Sequence, residues 1–196
     1  NSGLWERCGR FDHGGYPVVH RRIAASQAPE VYRGFEAACH GVLHQNFTLL
    51  SEDAFRAETV GDRDALTALF GTVPQGIAYP YGNWNRETVR RLRSLGFRYA
   101  RTIEDTGDFS LPEDFLAWRP TCHDHDPVLP RLIREFLAGP AGELPLLYIW
   151  GHSFELEKPD ADRWAQLEET CRRLAGREDI WYADNGSICR YVEAVR

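Results

Sequence analysis

The sequence of 196 residues contains no methionine. This absence predicts that Asn1 is not a translation start, and that the chain is processed or is part of a longer protein. Long apolar runs are also missing. The longest one, residues 144–150, is interrupted by Pro145 and is far shorter than the ~20 residues that a membrane-spanning helix requires. No basic segment followed by an apolar stretch opens the chain, so no signal peptide is expected.

Positive charge is scarce as well. The 23 Lys and Arg residues face 29 Asp and Glu residues, which gives a formal net charge of −6. Nucleic acids and anionic membranes attract basic surfaces, so both are poor candidates as partners. An uncharged or weakly charged ligand is compatible with this balance. The sequence leaves the oligomeric state open.

The cysteines contain no Cys-x-x-Cys pair and are odd in number. This pattern favours free thiols over a disulfide framework, and it predicts a cytoplasmic location. The residues concerned are Cys8, Cys39, Cys122, Cys171 and Cys189.

From residue 35 onward, short β-like runs alternate with helical segments. Repeated βα units predict a parallel sheet covered by helices, either doubly wound or closed into a barrel. Residues 1–34 do not follow the alternation and are expected to form an irregular entry segment to a single domain, whose body is 35–196. The predicted strands are 35–39, 76–79, 97–101, 115–118, 144–150 and 179–183. The predicted helices are 51–70, 85–95, 127–138, 160–175 and one that starts at residue 185.

Chemically active side chains follow several of these strands. Sites in parallel α/β folds form at the carboxyl ends of the strands, so the side chains that follow each strand are expected to converge. His40 and His44 follow the first predicted strand, Pro80 and Tyr81 the second, and His152 the apolar strand 144–150. Residues 119–124, Arg-Pro-Thr-Cys-His-Asp, follow strand 115–118.

Several of these residues have ordinary alternatives. The spacing of His40 and His44 suits two imidazoles on one side of a helical turn that reach one metal ion, but such a pair more often forms a polar edge. His152 could be a partly buried histidine bonded to backbone. His123 belongs to a run of ligand-type residues, of which His125 and Asp126 are better explained as a solvated loop and a helix cap. Trp84 and Trp118 lie nearest the strand ends and are the candidates for stacking on a sugar.

Three ordered motifs resemble the polysaccharide deacetylase, or NodB-homology, family of carbohydrate esterases. They are Cys-His-Gly-Val-Leu-His at 39–44, Ala-Tyr-Pro-Tyr-Gly at 78–82 and Tyr-Ile-Trp-Gly-His at 148–152. The stretch 99–123 is similar to a bacterial branch of that family. The resemblance implies a distorted (β/α) barrel with fewer than eight strands.

The resemblance also implies a metal-dependent hydrolase that removes acetyl groups from an N- or O-acetylated carbohydrate. His40 and His44 would bind a divalent metal, usually zinc, together with one aspartate, while a second aspartate acts as general base. The backbone N–H of Tyr81 would stabilise the oxyanion, and His152 would protonate the leaving group. The expected substrate-binding residues are Pro80, Trp84, Trp118, Arg119 and His123.

The sequence departs from the family pattern in the Asp-Asp pair that supplies both aspartates. Asp12, in Phe-Asp-His-Gly at 11–14, lies too close to His40 for a helix and a further strand to fit between them. We therefore expect the first βα unit to be missing and the chain to be weakly active or inactive. The alternative is a non-catalytic carbohydrate-binding or structural derivative of the fold. Ala78 and Gly151 replace the arginine and leucine expected there, and Arg119 could take over the role of that arginine.

Overall fold

The computed structural model describes residues 23–139, 144–157 and 162–195, to which the following description applies. Six α-helices and four short strands lie along these residues. The helices are α1 (Ala28–Val31), α2 (Glu52–Phe70), α3 (Arg86–Ser94), α4 (Leu129–Leu137), α5 (Arg163–Leu174) and α6 (Asn185–Val195). The strands are β1 (Gly76–Ala78), β2 (Tyr99–Arg101), β3 (Cys122–His123) and β4 (Ile149–Trp150).

Local signals explain the ends of the longest helices. The Ser51 side chain accepts a hydrogen bond from Ala54 N, which satisfies one of the free N–H groups at the start of α2. Gly71 ends α2 in a left-handed conformation at φ 73°, which glycine adopts without steric cost. Asn85 caps α3 through Thr88 N. The predicted helices 51–70 and 85–95 are confirmed with shifts of about a residue at their ends.

The extended segments form one parallel series. Cys39 pairs with Ile77 of β1, and β1 pairs with β2. Arg101 of β2 pairs with Trp118, a few residues before β3, and β3 pairs with β4. The predicted parallel α/β arrangement is therefore confirmed. Among the described residues no pairing joins Cys39 to β4, so the series is open.

Several predicted strands are wrong in extent. Segment 35–39 pairs only at Cys39, and 115–117 forms a 3-10 turn because the Asp114 side chain caps Leu116 N. The apolar run 144–150 is a strand only over its last two residues, and 179–183 is not a strand. Strand β3 falls where the sequence predicted a loop. The described part of the entry segment contains α1.

The core lies on both faces of the series, because Ala100 of β2 belongs to one cluster while its neighbour Tyr99 packs with Trp118 and with Cys189 of α6. Its largest cluster joins β1 and β2 to α2 and α3 through Phe55, Ile77, Leu92 and Ala100. The four described cysteines are free thiols, as predicted, and Cys8 lies outside the described residues. Among the described helices, none combines the length and apolar character needed to cross a membrane.

Candidate metal and catalytic site

His40 and His44 meet without the helical turn that their spacing suggested. Residues 40–46 form an irregular loop after Cys39, and His44 takes a left-handed conformation at φ 56°. This turn of the backbone brings the two imidazole rings to a centroid distance of 4.6 Å. The Tyr81 ring packs on the other side of His44, with a centroid distance of 4.4 Å.

Two carboxylates of α2 hold this loop through its backbone. Asp62 Oδ2 accepts hydrogen bonds from His40 N at 2.7 Å and from Gly41 N at 2.9 Å. Glu58, which is 3% exposed, accepts from Leu43 N at 3.0 Å. A side chain at Gly41 would bring its Cβ to 2.9 Å from Glu58 Oε2. The loop therefore needs glycine at this position and acceptors on α2.

The imidazole of His40 is oriented by the end of β1. Its Nδ1 lies 2.9 Å from the Ala78 carbonyl oxygen, which can only accept, so Nδ1 carries the proton and Nε2 keeps a lone pair. His40 has an exposed edge, but protein surrounds the rest of the ring, and the loss of hydration lowers its pKa to about 4. Burial lowers the pKa of His44 as well. Both histidines are therefore neutral at neutral pH, which is the form that binds metals.

Tyr81 lies in a tight turn directly after β1. Its backbone is left-handed at φ 57°, and its ring is 54% exposed. Pro80 beneath it is buried, so it shapes the turn and does not present a surface to a ligand, contrary to the predicted substrate contact. A Cβ at Gly82 would lie 2.2 Å from Ile103, so only glycine fits there.

A second group of polar side chains lies at the ends of β3 and β4. Glu155 Oε2 lies 3.1 Å from both His123 Nε2 and His152 Nδ1. Asp124 Oδ1 lies 3.0 Å from His123 Nδ1 and 3.1 Å from His125 Nδ1. We call these five residues the β3–β4 cluster. The side chain of His152 is 43% exposed, whereas those of the other members are only 12–20% exposed.

The two groups face a common region. Ala78, whose carbonyl oxygen lies 2.9 Å from His40 Nδ1, pairs with Arg101 of β2, and the Trp150 ring of β4 lies 5.6 Å from the His152 ring. The positive charge of Arg101, at the end of β2, contributes to the lowered pKa of His40 after the loss of hydration. The Arg101 guanidinium lies 4.8 Å from the centre of the Trp150 ring. The convergence of strand ends that the sequence predicted is therefore present.

The remaining predicted site residues are distributed differently. Trp118 is 1% exposed and packs edge-on against Tyr99 and Phe115, so it is a core residue and the predicted sugar contact is wrong. Trp84 is half-buried, and its Nε1 donates to Glu104 Oε1 at 2.9 Å. Arg119 is exposed. Asp12 lies outside the described residues.

Sequence reasoning missed Asp62, Glu58, Glu155 and Arg101. The two acids of α2 act on a loop about 20 residues away, and no local pattern reveals such a contact. Glu155 carried a usable signal, because it follows His152 by three residues and so lies on the same side of a turn. His125 is also enclosed, at 13% side-chain exposure, and is not part of the solvated loop that was expected.

The fold defined by this parallel series is that of the polysaccharide deacetylases. A Pseudomonas aeruginosa PAO1 protein of that description matches with a TM-score of 0.63 and 21% identity over 87% of this chain and 65% of its own. A Mycobacterium smegmatis protein assigned to the same family matches with a TM-score of 0.60 and 23% identity, covering 88% and 68% of the two chains. Puue allantoinase matches with a TM-score of 0.61 and 20% identity, covering 87% and 65%. The chain thus spans about two thirds of the length of each of these structures.

The sequence adds a match of its own. Residues 20–100 match the family model for polysaccharide deacetylase, and this segment includes His40, His44 and Tyr81. No curated protein matches the sequence. The resemblance to polysaccharide deacetylases that the motifs indicated is confirmed at the level of this sequence segment and of the fold.

Proposed function

We propose that this protein is a metal-dependent hydrolase that removes acetyl groups from an N- or O-acetylated carbohydrate. The observation that carries the proposal is the contact of His40 and His44 beside Tyr81, at the end of β1, with the Nε2 of His40 left free by its hydrogen bond to Ala78 O. The family match over residues 20–100 and the shared fold support the same class of reaction.

The residues present fit two positions of a metal site. His40 and His44 are neutral, their rings are in contact, and a backbone carbonyl holds the far nitrogen of His40, as is usual for metal-binding imidazoles. Among the described residues, no third ligand-type side chain joins this pair. A divalent ion, of which zinc is our first choice, supplies Lewis-acid chemistry at an acetyl carbonyl and activates water.

The other roles are assigned to side chains around this pair. The backbone N–H of Tyr81 donates to the developing oxyanion, as donors at tight turns do in acyl-transfer enzymes. His152 protonates the leaving amine or alkoxide from Nε2, because its Nδ1 is held by Glu155 Oε2 at 3.1 Å. Trp84 and Arg119 are the remaining candidates for contact with the sugar.

The lack of a third ligand among the described residues also favours a second hypothesis. The chain would then be a carbohydrate-binding or structural derivative of the fold, with no metal and no turnover. Under the first hypothesis, the chain of 196 residues is the body of a hydrolase with low activity. A cytoplasmic location, a single domain with an entry segment at 1–34, and a substrate other than nucleic acid or membrane stay predictions.

Acetate release from acetylated chitin oligosaccharides separates these hypotheses. We expect the metal-free chain to be inactive and Zn²⁺ to restore release, whereas the double variant His40→Gln/His44→Gln stays inactive with Zn²⁺. Asp64→Asn, an exposed change on α2, is the matched control and should behave as the unmodified chain. Release that is unaffected by chelation or by the double variant would contradict the proposal. Metal-independent binding of the oligosaccharide without release would support the derivative.

A further inference from the structure

The β3–β4 cluster contains polar atoms that the described protein atoms do not satisfy. Three buried side-chain atoms in the described residues lack a hydrogen-bond partner, and two of them are Asp124 Oδ1 and His125 Nε2. The third is the hydroxyl of Tyr99 in the core. A buried polar atom without a partner costs about 1–3 kcal/mol. Of these atoms, Asp124 Oδ1 faces a ring nitrogen of both His123 and His125, which indicates that a cation belongs between the three side chains.

The geometry around Asp124 suits a metal ion better than a hydrogen-bond network. Asp124 Oδ1 lies 3.0 Å from His123 Nδ1 and 3.1 Å from His125 Nδ1, yet neither contact has hydrogen-bond geometry. All three atoms lie within 4.8 Å of one another. Ligand atoms at zinc bond lengths of about 2.0–2.1 Å in a tetrahedron are separated by about 3.3 Å. The two short separations are close to that value.

The ring nitrogens of His123 are also protonated as a metal-binding imidazole requires, with the proton on the nitrogen that faces away from the metal. The backbone N–H of His125 donates to His123 Nδ1 at 3.1 Å, so this nitrogen carries its single lone pair and Nε2 carries the proton. A bound ion would replace this N–H as the partner of the lone pair. His123 Nε2 lies 3.1 Å from Glu155 Oε2. A metal-binding imidazole typically has its far N–H facing a carboxylate in this way, which fixes its ring and raises its basicity.

Gly151 makes room for the carboxylate of Asp124. A Cβ at position 151 would lie 2.4 to 2.5 Å from all three carboxylate atoms, so a side chain there would force the Asp124 carboxylate or the backbone to move. The departure from the leucine expected at this position therefore has a physical reason. The Asp124 carboxylate occupies the space that a side chain at position 151 would need.

We propose that His123 Nδ1, Asp124 Oδ1 and His125 Nδ1 bind one divalent transition-metal ion, separately from His40 and His44. Two imidazoles and a carboxylate form a ligand set that zinc accepts. The low exposure of the three side chains, 12–20%, is typical of a structural site. The ion holds the loop between β3 and α4 and, through His123 and Glu155, the position of His152. The proposal does not depend on the deacetylase chemistry.

Calorimetric titration of Zn²⁺ into the metal-free full chain tests this site. We expect Asp124→Asn and His125→Gln each to weaken one binding event by more than about 100-fold, the upper end for changes outside the ligand set itself. His40→Gln/His44→Gln should keep that event. Asp108→Asn, an exposed carboxylate in the preceding loop, is the charge-matched control and should also keep it. Circular dichroism verifies that each variant is folded.

The outcomes separate this site from the proposed function. No Zn²⁺ binding by the unmodified chain, or equal binding by Asp124→Asn and His125→Gln, overturns the inference. Loss of all binding in His40→Gln/His44→Gln alone overturns it as well, while favouring the proposed hydrolase. Glu155→Gln provides a graded test: a weakening of about 10–100-fold is expected for a residue that orients a ligand. Substitution with Co²⁺ adds a visible absorption band that reports tetrahedral geometry and should vanish in His125→Gln.

Discussion

The two histidine groups of this protein are held in different ways. Around His40 and His44 the supporting carboxylates, Asp62 and Glu58, accept hydrogen bonds from the backbone of the loop and not from the imidazoles. In the β3–β4 cluster the carboxylates lie directly against the imidazoles, with Glu155 between His123 and His152. In the first group the imidazoles can contact a ligand. In the second group the position of each side chain depends on its contacts with the other side chains of the cluster.

This difference predicts different responses to mutation. A change in the support of His40 and His44 should weaken binding but leave the fold intact, because the altered contacts are with one loop. A change in the β3–β4 cluster should alter both the neighbouring side chains and the packing of strands β3 and β4. The following substitutions test that contrast.

The largest effect is expected for His152→Gln. Glutamine at this position cannot deliver a proton, and positioned acid–base groups contribute about 10²–10⁴-fold to a rate. Under the proposed function, kcat for acetate release should fall by that factor with little change in KM. Ser153→Ala, an exposed neighbour, serves as control. An unchanged kcat in His152→Gln would remove the residue from the mechanism.

Asp62→Asn is expected to act next most strongly, on metal affinity. The amide oxygen is a weaker acceptor for His40 N and Gly41 N, so the loop that carries the two histidines is held less firmly. Loss of such indirect support typically weakens metal binding by about 10–100-fold. Zn²⁺ titration should report this for Asp62→Asn and not for Asp64→Asn on the same helix. Equal affinities would mean that the loop is positioned without α2.

Gly151→Ala should destabilise the fold by about 1–3 kcal/mol, because its Cβ would lie 2.4 Å from the Asp124 carboxyl group and force the strand or the loop to move. Gly61→Ala is the matched change, since the same methyl group on α2 meets only Val42 at 3.4 Å. It should stabilise the helix by about 0.5–1 kcal/mol. Chemical denaturation of both variants measures whether the free energy of unfolding falls for Gly151→Ala and rises for Gly61→Ala. A Gly151→Ala variant as stable as the unmodified chain would show that Asp124 can move freely.

The smallest effect is a pH dependence at Glu36, whose carboxylate accepts from Gly186 N and not from either histidine group. Burial raises the pKa of Glu36 above its ordinary value of 4.5, although Gly186 N donates to its carboxylate. The ionised form is therefore disfavoured in the fold, and stability is lost as pH rises from 4.5 through the folded-state pKa. Glu36→Gln cannot ionise, so its stability relative to the unmodified chain should increase over that window. Denaturation below pH 4.5 and near neutrality measures the change, with exposed Glu178→Gln as control.

The parts of this structure that could be predicted from the sequence are those with local causes. Ser51 and Gly71 bound α2 through contacts within a turn, and both ends were found. The bounds of the strands were predicted wrongly because each strand is two or three residues long and is defined by partners far along the chain. Segment 35–39 is apolar enough for a strand, yet only Cys39 finds a partner.

The same distinction applies to the candidate site. The order of strand ends predicts that His40, His44 and His152 lie at the same edge of the series. It was not enough to distinguish the half-buried Trp84 from the buried Trp118, because Trp118 is covered by Tyr99 and Tyr148, which lie far from it in the sequence. The left-handed backbone of His44 was also unforeseen, since nothing in a histidine favours it.

The segment from Trp118 to Asp124 hydrogen-bonds on both of its sides. Trp118 N donates to Ala100 O at 2.9 Å, while Thr121 N and Asp124 N donate to Tyr148 O and Trp150 O at 2.8 Å. A segment that is hydrogen-bonded to β2 on one side and to β4 on the other cannot open from one without disturbing the other, so these amides should exchange with solvent in one cooperative event. The two histidine groups would then lose their mutual placement together, as a single unit of local unfolding.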